Sequence, residues 1–278
     1  MNGTNLFIGT SFLGAIQQGW RQMFPEDDST FIGLDGPRLA YHLNTGWTVE
    51  NGHLRFSDDL NVFADGPSIG ASDTAANKTF VDFKRATDFN LDLRKFQRII
   101  FIDMFFSPET LINVNDNDFL SFRGTPISDV ALQDIQLAGF GGWIRLNNHK
   151  QFGDTDFRSS RPLLRAVGEG AEDARVFLIS RPRRPQANRL VSGRSANTET
   201  SRKNMDFIED YYKRLLDEQG ITYVKQPDAV LDDDLCFTAN RFSRGPHRNN
   251  PEFLDVHMNA DYGKIVAQSL CDKFQEYS

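Results

Sequence analysis

Cysteine is scarce in this chain: two residues, Cys236 and Cys271, in 278. They stand far apart and in no ligand spacing, so the expectation is two reduced, partly buried thiols of a cytoplasmic protein. No apolar run reaches the length of a membrane span, and no basic segment with a following apolar stretch precedes the first strand signal. Neither a membrane span nor a signal peptide is therefore expected. Positive charge is also in deficit, with 31 Lys and Arg against 38 Asp and Glu, a net charge of -7 and a pI near 5.3. That balance argues against general affinity for nucleic acid or anionic membrane. Methionine is rare beside phenylalanine, 5 against 24, so aromatic rings are expected to carry much of the packing.

What the chain does have is 39% hydrophobic and 25% charged residues, a globular composition. Its length suits one large α/β domain or two small ones. No internal repeat and no linker is found, so residues 1–278 are read as one domain. Largely apolar stretches at Leu6–Ile8, Ser29–Leu34, Arg98–Asp103, Arg175–Ser180 and Ile221–Val224 read as strands. Between many of them lie segments of helical period, among them Leu13 to Phe24, Ile127 to Leu137, Met205 to Leu215 and a closing helix from Asp261 to Phe274. Strand and helix signals thus alternate, which implies a three-layer α/β/α sandwich with a mainly parallel sheet. Asn51-Gly52 between Thr45–Glu50 and His53–Phe56 is a strong hairpin signal, and residues 38–65 are read as an antiparallel insertion near the mouth of the sheet. Residues 66–78, rich in Gly, Ser, Asp and Ala, are expected to be loop. Asn115–Asp118 lacks the spaced ligands of a calcium loop and is taken as a solvated turn.

Two stretches carry chemistry. Asn5-Leu6-Phe7-Ile8-Gly9-Thr10-Ser11 reads as a buried strand, a tight turn and a hydroxyl at a helix start. In open α/β sheets the carboxyl ends of the strands are where ligands bind. Ser11 is either the N-cap of that helix or a nucleophile. Near the other end, Asp255-Val256-His257 stands just before the closing helix. Serine is a weak nucleophile at neutral pH and needs a base within hydrogen-bond reach, which in turn needs an acceptor for its other ring nitrogen. His257 and Asp255 have the residue types for those tasks, although His257 can equally be a helix-start histidine bonded to backbone. A third feature is the basic cluster Arg181, Arg183, Arg184 and Arg189 after the fourth strand, read as a proline-stiffened solvated loop or as an anion or sugar-acid contact at the site rim.

The pairing of Gly9-Thr10-Ser11 after the first strand with an acid and His257 before the last helix resembles the SGNH hydrolase superfamily, the GDS-type esterases and acetyltransferases. The tail His257-Met258-Asn259 with Tyr262-Gly263 looks like a version found in bacterial proteins of that superfamily, some linked to surface polysaccharides. The resemblance implies a flavodoxin-like sandwich with Ser11 as nucleophile, His257 as base, and Gly36, or less well Gly33, as an oxyanion donor. It implies esterase, deacetylase or O-acetyltransferase chemistry on a small-molecule or glycan ester, with no cofactor and no metal. Three departures stand against the pattern. The family's acid lies three residues before its histidine, where this chain has Leu254; Asp255 is one residue too close, Glu252 and Asp261 are nearby, and a Ser–His dyad is a further option. The second-block glycine is placed only loosely. The family's Gly-x-Asn block is replaced by Ile102-Asp103-Met104-Phe105-Phe106-Ser107. Loss of one oxyanion donor costs about 10²–10³ in rate, so a non-catalytic carbohydrate- or small-molecule-binding module on the same fold is the competing reading. A phosphate-handling flavodoxin-like protein ranks lower, because the first turn has too few glycines and no lysine.

Overall fold

The computed structural model describes residues 4–35, 45–66, 73–76, 84–86, 89–103, 120–122, 125–127, 157–188, the helical residues 202, 206, 209–210, 213–214 and 216–217, and 218–277. Gly36, Arg189, the Asn115–Asp118 turn and most of the expected Ile127–Leu137 helix lie outside them; Ile127 itself ends a short strand.

The first apolar run forms β1 (Asn5–Gly9), buried along its whole length. It leads into α1 (Leu13–Met23), and the chain returns as β2 (Thr30–Asp35). The expected hairpin follows as β3 (Trp47–Glu50) and β4 (His53–Phe56). Asn51 and Gly52 both take positive φ, 52° and 75°, the conformation that a two-residue turn between twisted strands requires. The next strands are β5 (Asn61–Asp65), β6 (Asp73–Ala76), β7 (Lys84–Ala86), β8 (Leu91–Asp92) and β9 (Arg98–Ile102). A small pair, β10 (Leu120–Phe122) and β11 (Thr125–Ile127), precedes α2 (Phe157–Gly170). β12 (Arg175–Ile179) and β13 (Ile221–Val224) complete the parallel set. Gly220, at φ 71°, ends the helical stretch before β13. The long connection after β13 holds β14 (Pro246–His247) and β15 (Asn250–Leu254), and α3 (Ala260–Glu276) closes the chain, capped by the Asn259 side chain.

The main sheet has the order β13-β12-β9-β1-β2-β5-β7-β6. Its first five strands are parallel, and β5, β7 and β6 continue it antiparallel. The sandwich is thus the expected α/β architecture, with two differences. β5 falls inside the stretch read as an insertion but pairs with β2 in the central sheet, and β6 forms within residues read as loop. The short apolar run of β5 does not name its pairing partner, and the composition of β6 says little about an edge strand.

Alternation along the strands sorts the core into two halves. Leu6, Ile8, Ile32, Ile99 and Phe101 face α2 and the small β3-β4-β8 sheet. Phe7, Phe31, Ile100 and Phe177 face α1 and α3. Phenylalanine rings do carry this second half: Phe7 stacks on Phe31 at 4.7 Å and meets Trp20 edge-on at 4.9 Å, while Phe177 meets Phe274 at 5.0 Å. α1 and α3 cross at glycines. A Cβ on Gly19 would lie 2.2 Å from the Gly263 carbonyl carbon, and one on Gly263 would lie 1.8 Å from the Ala15 oxygen. No described helix is long and apolar enough to cross a membrane.

Candidate active site

β1 lies between β9 and β2, so strand order reverses at its carboxyl end. Such a reversal leaves a crevice above the sheet edge. Ser11 enters that crevice on the turn between β1 and α1. Gly9 lets β9 lie close against the end of β1, since a Cβ there would sit 2.9 Å from the Ile102 carbonyl oxygen. The N-cap position of α1 is taken by Phe12, with no side-chain cap bond. Ser11 is therefore not the cap, and its hydroxyl is directed elsewhere.

That direction is His257: its Nε2 lies 3.0 Å from Ser11 Oγ across 246 residues of sequence. The other ring nitrogen, Nδ1, lies 2.7 Å from Asp255 Oδ1. An ionised carboxylate only accepts, so Nδ1 carries the proton and donates it to Asp255, and Nε2 is left to accept from the serine hydroxyl. Asp255 reaches the ring despite standing two residues before it because the same Oδ1 also accepts the His257 backbone N–H at 2.9 Å. That local turn, an aspartate bonding the N–H two residues on, folds the imidazole back over its own acid. Glu252 is exposed, and Asp261 pairs with Lys264 at 3.2 Å. Partial burial works to raise the Asp255 pKa, but hydrogen bonds from the His257 backbone and ring, with Arg244 beyond, outweigh it and hold the carboxyl below its usual range.

Loop 240–245 grips the segment that carries these residues. Asp255 N–H donates to the Gly245 carbonyl at 2.7 Å, and Ser243 Oγ donates to the Asp255 carbonyl at 2.7 Å. Arg244 N–H donates to the His257 carbonyl at 3.1 Å, and its Nε to the Met258 carbonyl at 3.1 Å.

A second group at the same sheet edge was not singled out by sequence. Asp103 follows β9, is fully buried and takes a positive φ of 68°, a strained conformation of the kind that collects at functional sites. Thr10 Oγ1 donates to its carboxylate, and Arg181 Nε donates to it at 2.8 Å. The Arg181 side chain stays 32% exposed. Its guanidinium lies 5.1 Å from the Phe12 ring centre, and Phe12 in turn stacks on the His257 imidazole at 5.1 Å. The signal that marks Asp103 is its place, a chemistry-bearing residue directly after a buried strand beside the one that ends at Ser11.

The basic cluster divides. Arg181 stands at the site on Asp103. Arg183 is buried, not solvated: its side chain is 3% exposed and pairs with Glu209 at 3.0 Å. Arg184 is exposed. Among the described residues no group of His, Cys, Asp and Glu side chains is placed to hold a metal ion.

No protein-family model matches this chain, and no curated protein sequence matches it. Among solved structures it is similar to the periplasmic domain of a lipopolysaccharide acetyltransferase from Salmonella ser. Paratyphi A, at 13% identity and a TM-score of 0.37, over 99% of this chain and 85% of that one.

Proposed function

We propose that the protein carries out serine-dependent acyl-ester chemistry, as an esterase, a deacetylase or an O-acetyltransferase. The observation that carries this reading is the unbroken line from Ser11 Oγ through the His257 ring to Asp255 Oδ1, at 3.0 and 2.7 Å. In this mechanism Ser11 Oγ attacks the ester carbonyl carbon while Nε2 of His257 takes the hydroxyl proton. Asp255 holds the ring in the required tautomer and stabilises the imidazolium that forms. The tetrahedral intermediate collapses, the C–O bond to the leaving alcohol breaks, and His257 returns its proton to that oxygen. Water or an acceptor hydroxyl then attacks the acyl-serine by the same steps in reverse order. The Ser11 backbone N–H at the start of α1 is one donor for the oxyanion, and Gly36 remains a proposed second. Arg181, held by Asp103 at the rim, is assigned to a substrate contact. Carbohydrate is the proposed substrate class, on the SGNH resemblance of the two end motifs.

The test is hydrolysis of p-nitrophenyl acetate by the wild type, Ser11→Ala, His257→Ala and Asp255→Asn. Loss of Ser11 or His257 is expected to lower the enzymatic rate by about 10⁴-fold or more. Asp255→Asn is expected to lower it by about 10³–10⁴-fold. Equal rates in the wild type and the first two variants would favour the non-catalytic binding module.

A further inference from the structure

We propose that Asn188, on the segment that follows β12, is a positioning residue that sets the register of the acid-bearing loop. The inference rests on the reading of Ser11, His257 and Asp255 given above. Asn188 is buried, and its carboxamide meets the backbone of Leu254 at two points. Leu254 N–H donates to Asn188 Oδ1 at 2.7 Å, and Asn188 Nδ2 donates to the Leu254 carbonyl at 3.0 Å. A side-chain amide here does what a neighbouring strand would do, filling the donor and acceptor of one residue's free edge.

The need for it lies in β14 and β15. That pair is short and its register shifts at Pro246 and His247, so it defines the position of Leu254 weakly. In extended chain a slip of one residue sends every side chain to the opposite face. His257 and Met258 are held separately, their carbonyls accepting from Arg244, so a slip confined to β15 would be absorbed between Asp255 and His257, opening the local turn and turning the Asp255 carboxylate away from the imidazole. Asn188 on one side and the Ser243–Gly245 loop on the other fix the backbone at consecutive residues, Leu254 and Asp255. The carboxylate is then the part of Asp255 that turns to His257. Asn188 is itself held by its surroundings: its N–H donates to the Pro185 carbonyl at 3.0 Å, and the preceding Ala187 N–H donates to Asn240 Oδ1 at 2.8 Å. The same short segment carries Arg181, so one connection after β12 places both the rim cation and the acid.

Asn188→Leu keeps the volume and removes both hydrogen bonds; Asn188→Asp keeps the acceptor for Leu254 N–H alone. The full chain is labelled with ¹⁵N-histidine, the His257 signals are assigned by their loss in His257→Ala, and the tautomer is read from the ring ¹⁵N–¹H correlations. The wild type is expected to show the Nδ1–H tautomer. Asn188→Leu and Asp255→Asn are both expected to show mixed tautomers, and Asn188→Asp an intermediate state. Kinetically, Asn188→Leu should lower kcat for p-nitrophenyl acetate by about 10- to 100-fold with KM within about twofold, the pattern of a misplaced catalytic group. A wild type without the Nδ1–H tautomer, or an Asn188→Leu protein that keeps both tautomer and kcat, overturns the proposal. If the wild type has no esterase activity, the acyl-ester reading fails and the tautomer comparison still decides the role of Asn188.

Discussion

At the scale of single residues, Asp255 does two tasks with one oxygen. It turns the backbone through the His257 N–H and orients the ring through Nδ1. Its lowered pKa has a definite sign for pH dependence. A carboxyl whose folded pKa lies below its unfolded value near about 3.9 stabilises the fold above that value and loses the contribution as pH falls through the folded one. In a carboxyl ¹³C titration the Asp255 midpoint should lie below that of an ordinary aspartate and rise in His257→Ala. A midpoint at or above the ordinary value would contradict the contact. Arg183 and Glu209 make a different prediction. Both side chains are nearly inaccessible, at 3% and 4% exposure, so removing one strands the other. Glu209→Leu should destabilise the protein by about 3–5 kcal/mol, and adding Arg183→Met should recover much of that. A double variant no more stable than Glu209→Leu alone, by denaturant unfolding, would show that the buried charge is not the cause.

At the scale of elements, the site depends on two helices. α1 starts just after Ser11 and α3 just after His257, so their packing sets the distance between hydroxyl and imidazole. They approach closely because Gly19 and Gly263 have no side chains at the crossing. Gly263→Ala would drive a methyl into the Ala15 backbone, and no rotamer can relieve that. The expected outcome is a Tm lower by roughly 5 °C or more, with loss of fluorophosphonate reactivity at Ser11 greater than the loss of folded protein. An unchanged Tm would mean that the helices separate at no cost. The two end motifs were legible in sequence because each is local: an apolar strand, a small-residue turn and a serine at one end, and an acid, a histidine and a helix cap at the other. Spacing alone put the acid in question, since Asp255 is two residues before His257; the turn that makes this spacing work is a backbone bond, which sequence spacing does not display. Asp103 and Asn188 were not legible as site residues, because each acts through a partner more than 60 residues away, Thr10 and Leu254.

At the scale of the whole molecule, the parallel half of the sheet was legible and the antiparallel half was not. Continuous apolar runs mark strands covered on both faces, as β1, β9 and β12 are. β5 has the same kind of run but inverts its direction, and only pairing with β2 reveals that. The two cysteines are both buried. Cys236 and Cys271 are both 3% exposed, and burial, with Asp272 and Asp27 nearby, pushes the Cys271 thiol up to about 12. A thiol reagent at pH 8 should therefore find no fast-reacting cysteine in the native protein and two after denaturation. The raised value also means that stability from this group is complete below the ordinary thiol pKa near about 8.5 and declines as pH rises toward the folded value. Fast native reaction at Cys271 would contradict the packing of α3. Acyl transfer at this site requires that the imidazole of His257 activate Ser11. Intact-mass analysis after treatment with a fluorophosphonate at neutral pH should show one adduct, mapped to Ser11, that forms far more slowly in His257→Ala. No adduct on the wild type, or the same rate of labelling without His257, would contradict it.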